Sequence, residues 1–333
     1  LLTIDKVRFV IEGGHAKKLA YDHAIHSKSL SEARVSKASA KQRRGRAGRT
    51  ATGRCYYLYS QQTHEQMAEY ETPLIFQTPV DRLILYSLKV YGKSLEYLGL
   101  LDCPDMADIS VAKERLFDLG MIKLSGSESG KLELSKDGNL AMRLSMLEPQ
   151  AVKMILASQS PQLNCLHDAM KLGAIISSED DIFFKKRPED EKEDSPHYLG
   201  DHFHAFDYLT KFEKELKKTK KGSKKKLRTW CKTNGVIFHV MKRIQGTVDQ
   251  CYREMKKNNL LNNTYSSDNK KMIKGGDEER LLRACISGYF SNIAECLDAN
   301  FKKEYGFCVL TPVLVEQGTD TKESKYKRVQ LKL

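Results

Sequence analysis

Apolar side chains recur every three or four residues in several segments, which is the period of an α-helix with one buried face. This spacing predicts helices over residues 80–91 and 109–120, and residues 150–159 and 163–176 are also expected to be helical. Shorter apolar runs predict strands at 7–11, 55–59, 306–315 and 325–333. Gly13 and Gly14 are expected to end the first strand in a turn. The chain is therefore expected to be multidomain and predominantly helical, with smaller β parts.

Two of these helices precede a segment that is typical of a small β-wing. Gly120 is well placed to end the helix at 109–120. Residues 121–134 supply two short strands around the turn-forming segment 125–130. Two helices followed by such a wing indicate a winged helix, which as a free-standing unit suggests DNA binding.

Composition limits the possible functions of the chain. A length of 333 residues predicts two or three folded units. The net charge of +13 is typical of a protein that meets nucleic acid or another anionic surface. The eight cysteines contain no CxxC pair and the nine histidines do not cluster with them, so neither a metal site nor a disulfide framework is expected. This cysteine usage indicates a reducing nuclear or cytoplasmic compartment rather than secretion, and no apolar run suggests a membrane span.

Residues 42–49 read Gln-Arg-Arg-Gly-Arg-Ala-Gly-Arg, a composition that is unsuited to a buried core. If they form a helix with about 100° per residue, Gln42, Arg46 and Arg49 share an arc of roughly 60°. The other two arginines point elsewhere, and Gly45 leaves one flank of this stripe open to another surface. An amide and two guanidinium groups on one stripe are suited to a polyanion such as a triphosphate. The alternative is a basic helix that faces solvent or RNA.

The arginine segment and the strand after it resemble a motif of a known enzyme family. Residues 35–59 are similar to the last ATPase motif of the DEAH-box RNA helicases and to the strand that follows it. In that family the motif belongs to the second RecA-like domain. The resemblance implies that Arg46 and Arg49 are arginine fingers that reach the γ-phosphate of ATP and that Gln42 helps to position it.

The same resemblance shows which parts of an ATP site this chain lacks. Leu2-Thr3-Ile4-Asp5 looks like the end of the preceding family motif, so Thr3 and Asp5 are expected to contact the nucleotide. Gly45 of the arginine segment is expected to contact it as well. A phosphate-binding loop of the form GxxxxGK[ST] and a magnesium-binding tetrad such as Asp-Glu-Ala-His are absent from the 333 residues. The chain is therefore expected to begin within the second RecA-like domain. ATP and Mg²⁺ would be used only in a complete enzyme, and this chain alone would be inactive.

The resemblance extends over nearly the whole chain and implies its domain boundaries. Residues 109–138 resemble the family's winged helix, which in such helicases is more often a structural hub than a DNA reader. Residues 280–294 resemble the helix that opens an OB fold. The long middle segment resembles the helical-bundle or ratchet domain more loosely, and this resemblance implies helices over 200–212 and 248–257. The expected domains are a RecA-like α/β remnant (1–66), a winged helix (67–140), a ratchet bundle (141–278) and a partial OB fold (279–333).

Basic residues in two places are candidate RNA contacts. In the family a β-hairpin within residues 15–38 projects toward nucleic acid, so Lys17, Lys18 and Lys28 are expected to face phosphate, the alternative being a solvated basic hairpin. The basic insertion 214–228 carries nine basic residues against one acidic residue, and it adds Lys224, Lys225 and Lys226. Lysines bind phosphate without reading sequence. A solvated surface insertion and a nuclear localisation patch are the two other interpretations of this run.

Two functions are compatible with the sequence. The first is the C-terminal portion of an ATP-dependent RNA helicase, in which this chain supplies arginine fingers and RNA-binding accessory domains. The second is a non-catalytic RNA- or partner-binding module derived from a helicase, which the missing phosphate loop favours. The resemblance implies single-stranded RNA and a glycine-rich activator protein as partners.

Overall fold

The computed structural model describes residues 6–22, 27–50, 52–126, 130–178, 180–184, 200–218, 224–261, 277–292, 294–296, 309–312 and 329–330. The protein is mostly helical with small sheets, as predicted. It divides into two compact units, Leu1–Arg115 and Leu116–Leu333, and the boundary falls inside one helix. Within the described ranges, no helix has both the length and the apolar character that crossing a bilayer requires.

The first unit begins with two small sheets. Strand β1 (Phe9–Glu12) pairs in parallel with β4 (Arg54–Tyr57), which confirms the two predicted strands within one or two residues. Strands β2 (His15–Asp22) and β3 (Ser27–Arg34) form an antiparallel pair in which His15 lies opposite Arg34. Helix α1 (Lys37–Arg44) follows β3. The hairpin and α1 together form the crossover that a parallel strand pair requires.

The rest of the first unit is helical. It contains α2 (Gln61–Glu65), α3 (Asp81–Tyr91) and the start of α4 (Met106–Asp118), with short 3₁₀ turns at Leu74–Gln77 and Leu95–Tyr97. Arg115 donates two hydrogen bonds to the buried Asp81 carboxylate, at 2.8 and 2.7 Å. A bidentate, nearly buried pair of this kind fixes α4 against α3 with a defined geometry.

The second unit follows the end of α4 with a strand pair and seven helices among its described residues. Strands β5 (Ile122–Leu124) and β6 (Leu132–Leu134) pair antiparallel, at the position of the predicted wing. The helices are α5 (Lys136–Arg143), α6 (Pro149–Ala157), α7 (Leu166–Ile176), α8 (Asp201–Lys218), α9 (Lys224–Thr233), α10 (Phe238–Lys257) and α11 (Asp277–Tyr289). A 3₁₀ turn (Phe290–Asn292) leads to an antiparallel sheet of β7 (Ala294–Cys296), β8 (Val309–Pro312) and β9 (Val329–Gln330).

The core of the second unit lies where α6 and α7 pack against α10 and α11. Met154, Ile155 and Leu172 are completely buried there. Helix α11 approaches α6 so closely that a Cβ atom at Gly288 would lie 2.1 Å from the Gln150 carbonyl oxygen. Only glycine fits this crossing without a shift of the backbone.

The basic segment 214–228 is helical where it is described. Residues 214–218 belong to the end of α8 and residues 224–228 to the start of α9. The lysine run therefore extends two helices of the bundle. The winged-helix and OB-fold assignments, like the boundaries at 66, 140 and 278, remain predictions.

Candidate functional site

Helix α1, which carries the arginine segment, begins at a cap that also anchors β2. The Ser36 hydroxyl accepts a hydrogen bond from the Ser39 N–H at 3.1 Å, and the Ser36 N–H donates to the Glu71 carboxylate at 2.9 Å. Lys18 of β2 donates to the other oxygen of the same carboxylate. Burial alone would raise the pKa of Glu71, but hydrogen bonds from Lys18 and the two serines lower it to about 2. An ionised carboxylate therefore holds the start of α1 and ties it to the hairpin.

The end of α1 differs from the prediction. The α-helix stops at Arg44, and residues 45–48 continue as turns in which the Arg46 N–H bonds the carbonyl three residues earlier at 3.0 Å. The expectation of one helix through Arg49 was therefore wrong. The physical reason is the pair of glycines within four residues, because each costs a helix about 1 kcal/mol relative to alanine.

The three predicted catalytic side chains lie around this helix end. Gln42 is exposed on the last turn of α1, Arg46 is half-buried in the turn, and Arg49 is exposed just beyond it. Because the segment leaves the α-helix after Arg44, the 60° arc calculated for a regular helix does not describe their arrangement.

Gly53 allows the start of β4 to pass close to the arginine turn. A Cβ atom at Gly53 would lie 2.4 Å from the carbonyl oxygen of Ala47 and 2.6 Å from that of Arg8. Ala47 is itself buried. The turn that carries Arg46 is thus packed against backbone on one side, which restricts its conformation.

Arg43 is anchored in the first unit by a buried carboxylate that the sequence did not reveal. Its Nη1 atom lies 2.9 Å from Oε1 of Glu12, a residue that is only 1% exposed. The same oxygen accepts the Gly14 N–H at 2.8 Å, and Arg43 also donates to the His15 carbonyl at 3.4 Å. This pair ties α1 to the end of β1. The available sequence signal was an acidic residue at the end of an apolar strand, directly before two glycines.

A cavity of about 760 Å³ adjoins another face of α1. Helix α1 contributes Lys37, Ala38, Lys41, Gln42 and Arg44. The other lining residues come from β4, α2 and the segments next to them, namely Tyr57, Tyr59, Ser60, Gln61, His64, Glu69 and Tyr70. Of the three predicted catalytic residues, Gln42 is the one that borders this cavity.

The remaining predicted nucleotide contacts are only partly described. Thr3 and Asp5 lie outside the described residues. Gly45 is the C-cap of α1 and has an ordinary right-handed conformation. The structure therefore places only Gly45 beside the three candidate catalytic residues.

The predicted RNA contacts fall in different units of the chain. Lys17 is exposed on β2, whereas Lys18 is paired with Glu71 and Lys28 lies on β3 with a side chain outside the described part. Lys224, Lys225 and Lys226 are exposed in the first turn of α9, in the second unit. Their RNA contacts remain predictions.

Two buried cysteines of the second unit have raised thiol pKa values. Burial raises the pKa of Cys231 to about 11 and that of Cys251 to about 12, so both thiols stay protonated and unreactive at neutral pH. No group of three or more His, Cys, Asp or Glu side chains within the described ranges is arranged to hold a metal ion.

Comparisons with known proteins give the architecture a context. Residues 148–235 match the family model described as a helicase associated domain (HA2), ratchet-like. The chain is similar to the crystal structure of the E. coli DExH-box NTPase HrpB, with a TM-score of 0.58 and 20% sequence identity. The match covers 93% of this chain and 29% of HrpB, so the chain spans less than a third of that protein.

Proposed function

We propose, on the premise that this chain has the fold and the helicase-associated domain of a DExH-box helicase C-terminal region, that it is the C-terminal portion of an ATP-dependent RNA helicase. The observation that supports this most directly is the position of Gln42, Arg46 and Arg49 at the end of α1, a helix that is anchored at both ends. RNA binding alone does not require an amide and two guanidinium groups at the end of an anchored helix.

In this function the arginine segment forms one wall of an ATP site. Arg46 and Arg49 stabilise the negative charge that builds on the transferring phosphoryl group, and Gln42 orients the phosphate. These donors fit the anionic oxygens of ATP. The two guanidinium groups carry no oxygen donor for Mg²⁺ and Gln42 offers only one neutral amide oxygen, so carboxylates elsewhere in the complete enzyme would hold the metal. The Glu12–Arg43 pair keeps α1 in place while the phosphate charge changes.

The second unit supplies the accessory surface in this proposal. Its ratchet-like helices hold single-stranded RNA, while the exposed lysines at the start of α9 add sequence-independent affinity for phosphate. A glycine-rich activator protein is the proposed protein partner. Cycles of ATP hydrolysis would then move the RNA relative to the two RecA-like domains.

The test is RNA-stimulated ATP hydrolysis by the full-length protein. Arg46→Ala and Arg49→Ala should each lower kcat by a factor of about 10³ or more, as for other arginine fingers. Arg54→Ala, which removes an exposed arginine from the neighbouring strand β4, is the matched control and should leave kcat unchanged. Equal turnover in all three variants would refute the finger assignment.

The second candidate function is a non-catalytic RNA- or partner-binding module. The absence of a GxxxxGK[ST] loop from these 333 residues is the observation that favours it. It predicts RNA binding without ATP hydrolysis in the full-length protein. Both candidates predict that this chain alone hydrolyses no ATP, so RNA-stimulated turnover by the pure chain would contradict both.

A further inference from the structure

The cavity beside α1 is lined by three cations on one face of the helix. Lys37, Lys41 and Arg44 are spaced by four and three residues, so they fall within an arc of about 60°. Lys37 forms an ion pair with Glu69 at 3.3 Å. Lys41 and Arg44 have no ion-pair partner within the described ranges of the chain. Lys41 and Arg44 therefore border an open volume in which the lining carboxylate, Glu69, is paired with Lys37.

Aromatic rings line the same cavity. The rings of Tyr59 and His64 are stacked, with centroids 6.2 Å apart and planes 10° from parallel, and Tyr57 meets Tyr59 edge-on at 5.4 Å. Tyr57 is 38% exposed and Tyr70 is 74% exposed, so large ring faces are available to a ligand.

The hydroxyl of Tyr59 adds a polar group that lacks a partner. It is buried, and it has no hydrogen-bond partner in the described part of the structure. Burial and the nearby Glu12 carboxylate raise the pKa of Tyr59, so the hydroxyl keeps its proton at neutral pH and can donate. A buried hydroxyl without a partner costs free energy that a bound ligand or a water molecule would recover.

We propose that this cavity binds a nucleotide unit, with the phosphate at Lys41 and Arg44 and the base against the rings of Tyr57 and Tyr70. Lysine and arginine bind phosphate, and a base stacks on any exposed aromatic face whatever its sequence. The volume of about 760 Å³ lies in the range of small-ligand sites. The unit is either one residue of a single RNA strand or a free nucleotide, since both present a phosphate and a base.

This site adjoins the group proposed for ATP hydrolysis, because Gln42 borders the cavity, but its proposed phosphate and base contacts come from other side chains. Arg46 and Arg49 do not line the cavity, and Lys41 points about 100° away from Gln42 around α1. Binding here therefore does not depend on whether the full-length protein hydrolyses ATP. The two proposals can fail separately.

The first test measures binding of a fluorescent single-stranded RNA to the full-length protein by anisotropy. The double variant Lys41→Glu/Arg44→Glu should weaken binding by about tenfold or more, because two phosphate contacts become repulsive. Lys256→Glu/Lys257→Glu, on exposed positions of α10, makes the same change in net charge and should weaken binding far less. Equal losses of affinity in the two variants would overturn the proposal.

The second test separates stacking from charge and identifies the source of the nucleotide. Tyr57→Ala and Tyr70→Ala should weaken binding, whereas Tyr57→Phe, which keeps the ring, should not. If the substitutions weaken RNA binding but not the binding of a nucleoside monophosphate, the unit belongs to an RNA strand. If both ligands lose affinity, the cavity takes free nucleotides. Unchanged affinity of both alanine variants for both ligands would overturn the stacking role and with it the proposed site.

Discussion

Helices α1 and α10 are held in place by different forces. Over its eight residues α1 buries only Ala40, whereas α10 buries six apolar side chains over twenty residues. The position of α1 instead depends on polar contacts, namely the Glu71 carboxylate at its start and the Glu12–Arg43 pair near its end. The stability of α1, which carries the candidate site, should therefore depend on charge and pH. The stability of the helical bundle should depend mainly on side-chain volume.

The largest effect is expected in the bundle, where volume matters most. Phe212 of α8 is completely buried, and its ring lies 6.1 Å from that of Trp230. Phe212→Ala should lower the free energy of unfolding by about 3–5 kcal/mol, through lost burial and the cavity left behind. Denaturant unfolding followed by tryptophan fluorescence measures this, because Trp230 is the only tryptophan.

The matched control removes the same ring from a more exposed site. Phe117 lies on α4 and is 51% exposed, so Phe117→Ala should cost far less than Phe212→Ala. Equal losses in the two variants would mean that the packing of α8 is not what stabilises the second unit.

A volume increase at the α6–α11 crossing should also destabilise the bundle. Gly288→Ala places a methyl group against the Gln150 carbonyl and should cost about 1–3 kcal/mol, because the helices must move apart. Gly246→Ala in α10 meets no atom within 4 Å and should instead stabilise the helix by about 0.5–1 kcal/mol. Opposite shifts in the thermal unfolding temperature are the expected outcome. A shift in the same direction for both variants would contradict the close crossing.

In the first unit, removal of a charge should matter more than removal of volume. Glu12→Gln keeps the shape of the side chain but weakens the buried contact with Arg43, and should lower the local stability of α1 by about 1–3 kcal/mol. Hydrogen–deuterium exchange of residues 37–44 measures this opening directly. Glu114→Gln, at an exposed position of α4, is the control and should leave that exchange unchanged. Slow exchange in α1 of the Glu12→Gln variant would show that the pair does not hold the helix.

The difference between the two regions also explains what the sequence could predict. The helix at 248–257 was expected from the family resemblance, and the buried side chains of α10 do recur with the helical period. The roles of Glu12 and Glu71 were not predictable, because their partners lie 31 and 35 or more residues away in the chain. Lys18 is an example of such an unpredictable long-range partner, because it was expected to face phosphate but is paired with Glu71.

The arginine segment lies between these two cases. The spacing of Gln42, Arg46 and Arg49 predicted one shared face, but the α-helix ends at Arg44, so that argument does not extend to the two arginines. The same reasoning extended the helix too far, because hydrophobic periodicity gives no information in a segment whose one apolar residue is Ala47. The end of a helix in such a segment is set by glycine and by tertiary contacts such as the close approach of Gly53 to Ala47. The glycines can be read from the sequence, whereas the tertiary contacts are known only once the fold is known.

The smallest predicted effect is a pH dependence that arises at Glu71. Its pKa is about 2 in the folded protein and 4.5 without these contacts, because Lys18 and the serines at the start of α1 stabilise the ionised form. The carboxylate therefore contributes its full stabilisation above pH of about 4.5, and loses it as the pH falls toward about 2. Thermal unfolding of the wild type and of Glu71→Gln should differ most above that window, and the difference should shrink on acidification. Because the Glu71 side chain is 37% exposed, about 0.5 M salt should reduce the difference at every pH. A difference that grows as the pH falls would show that Glu71 stabilises the protein in its protonated form, and that charge does not anchor α1.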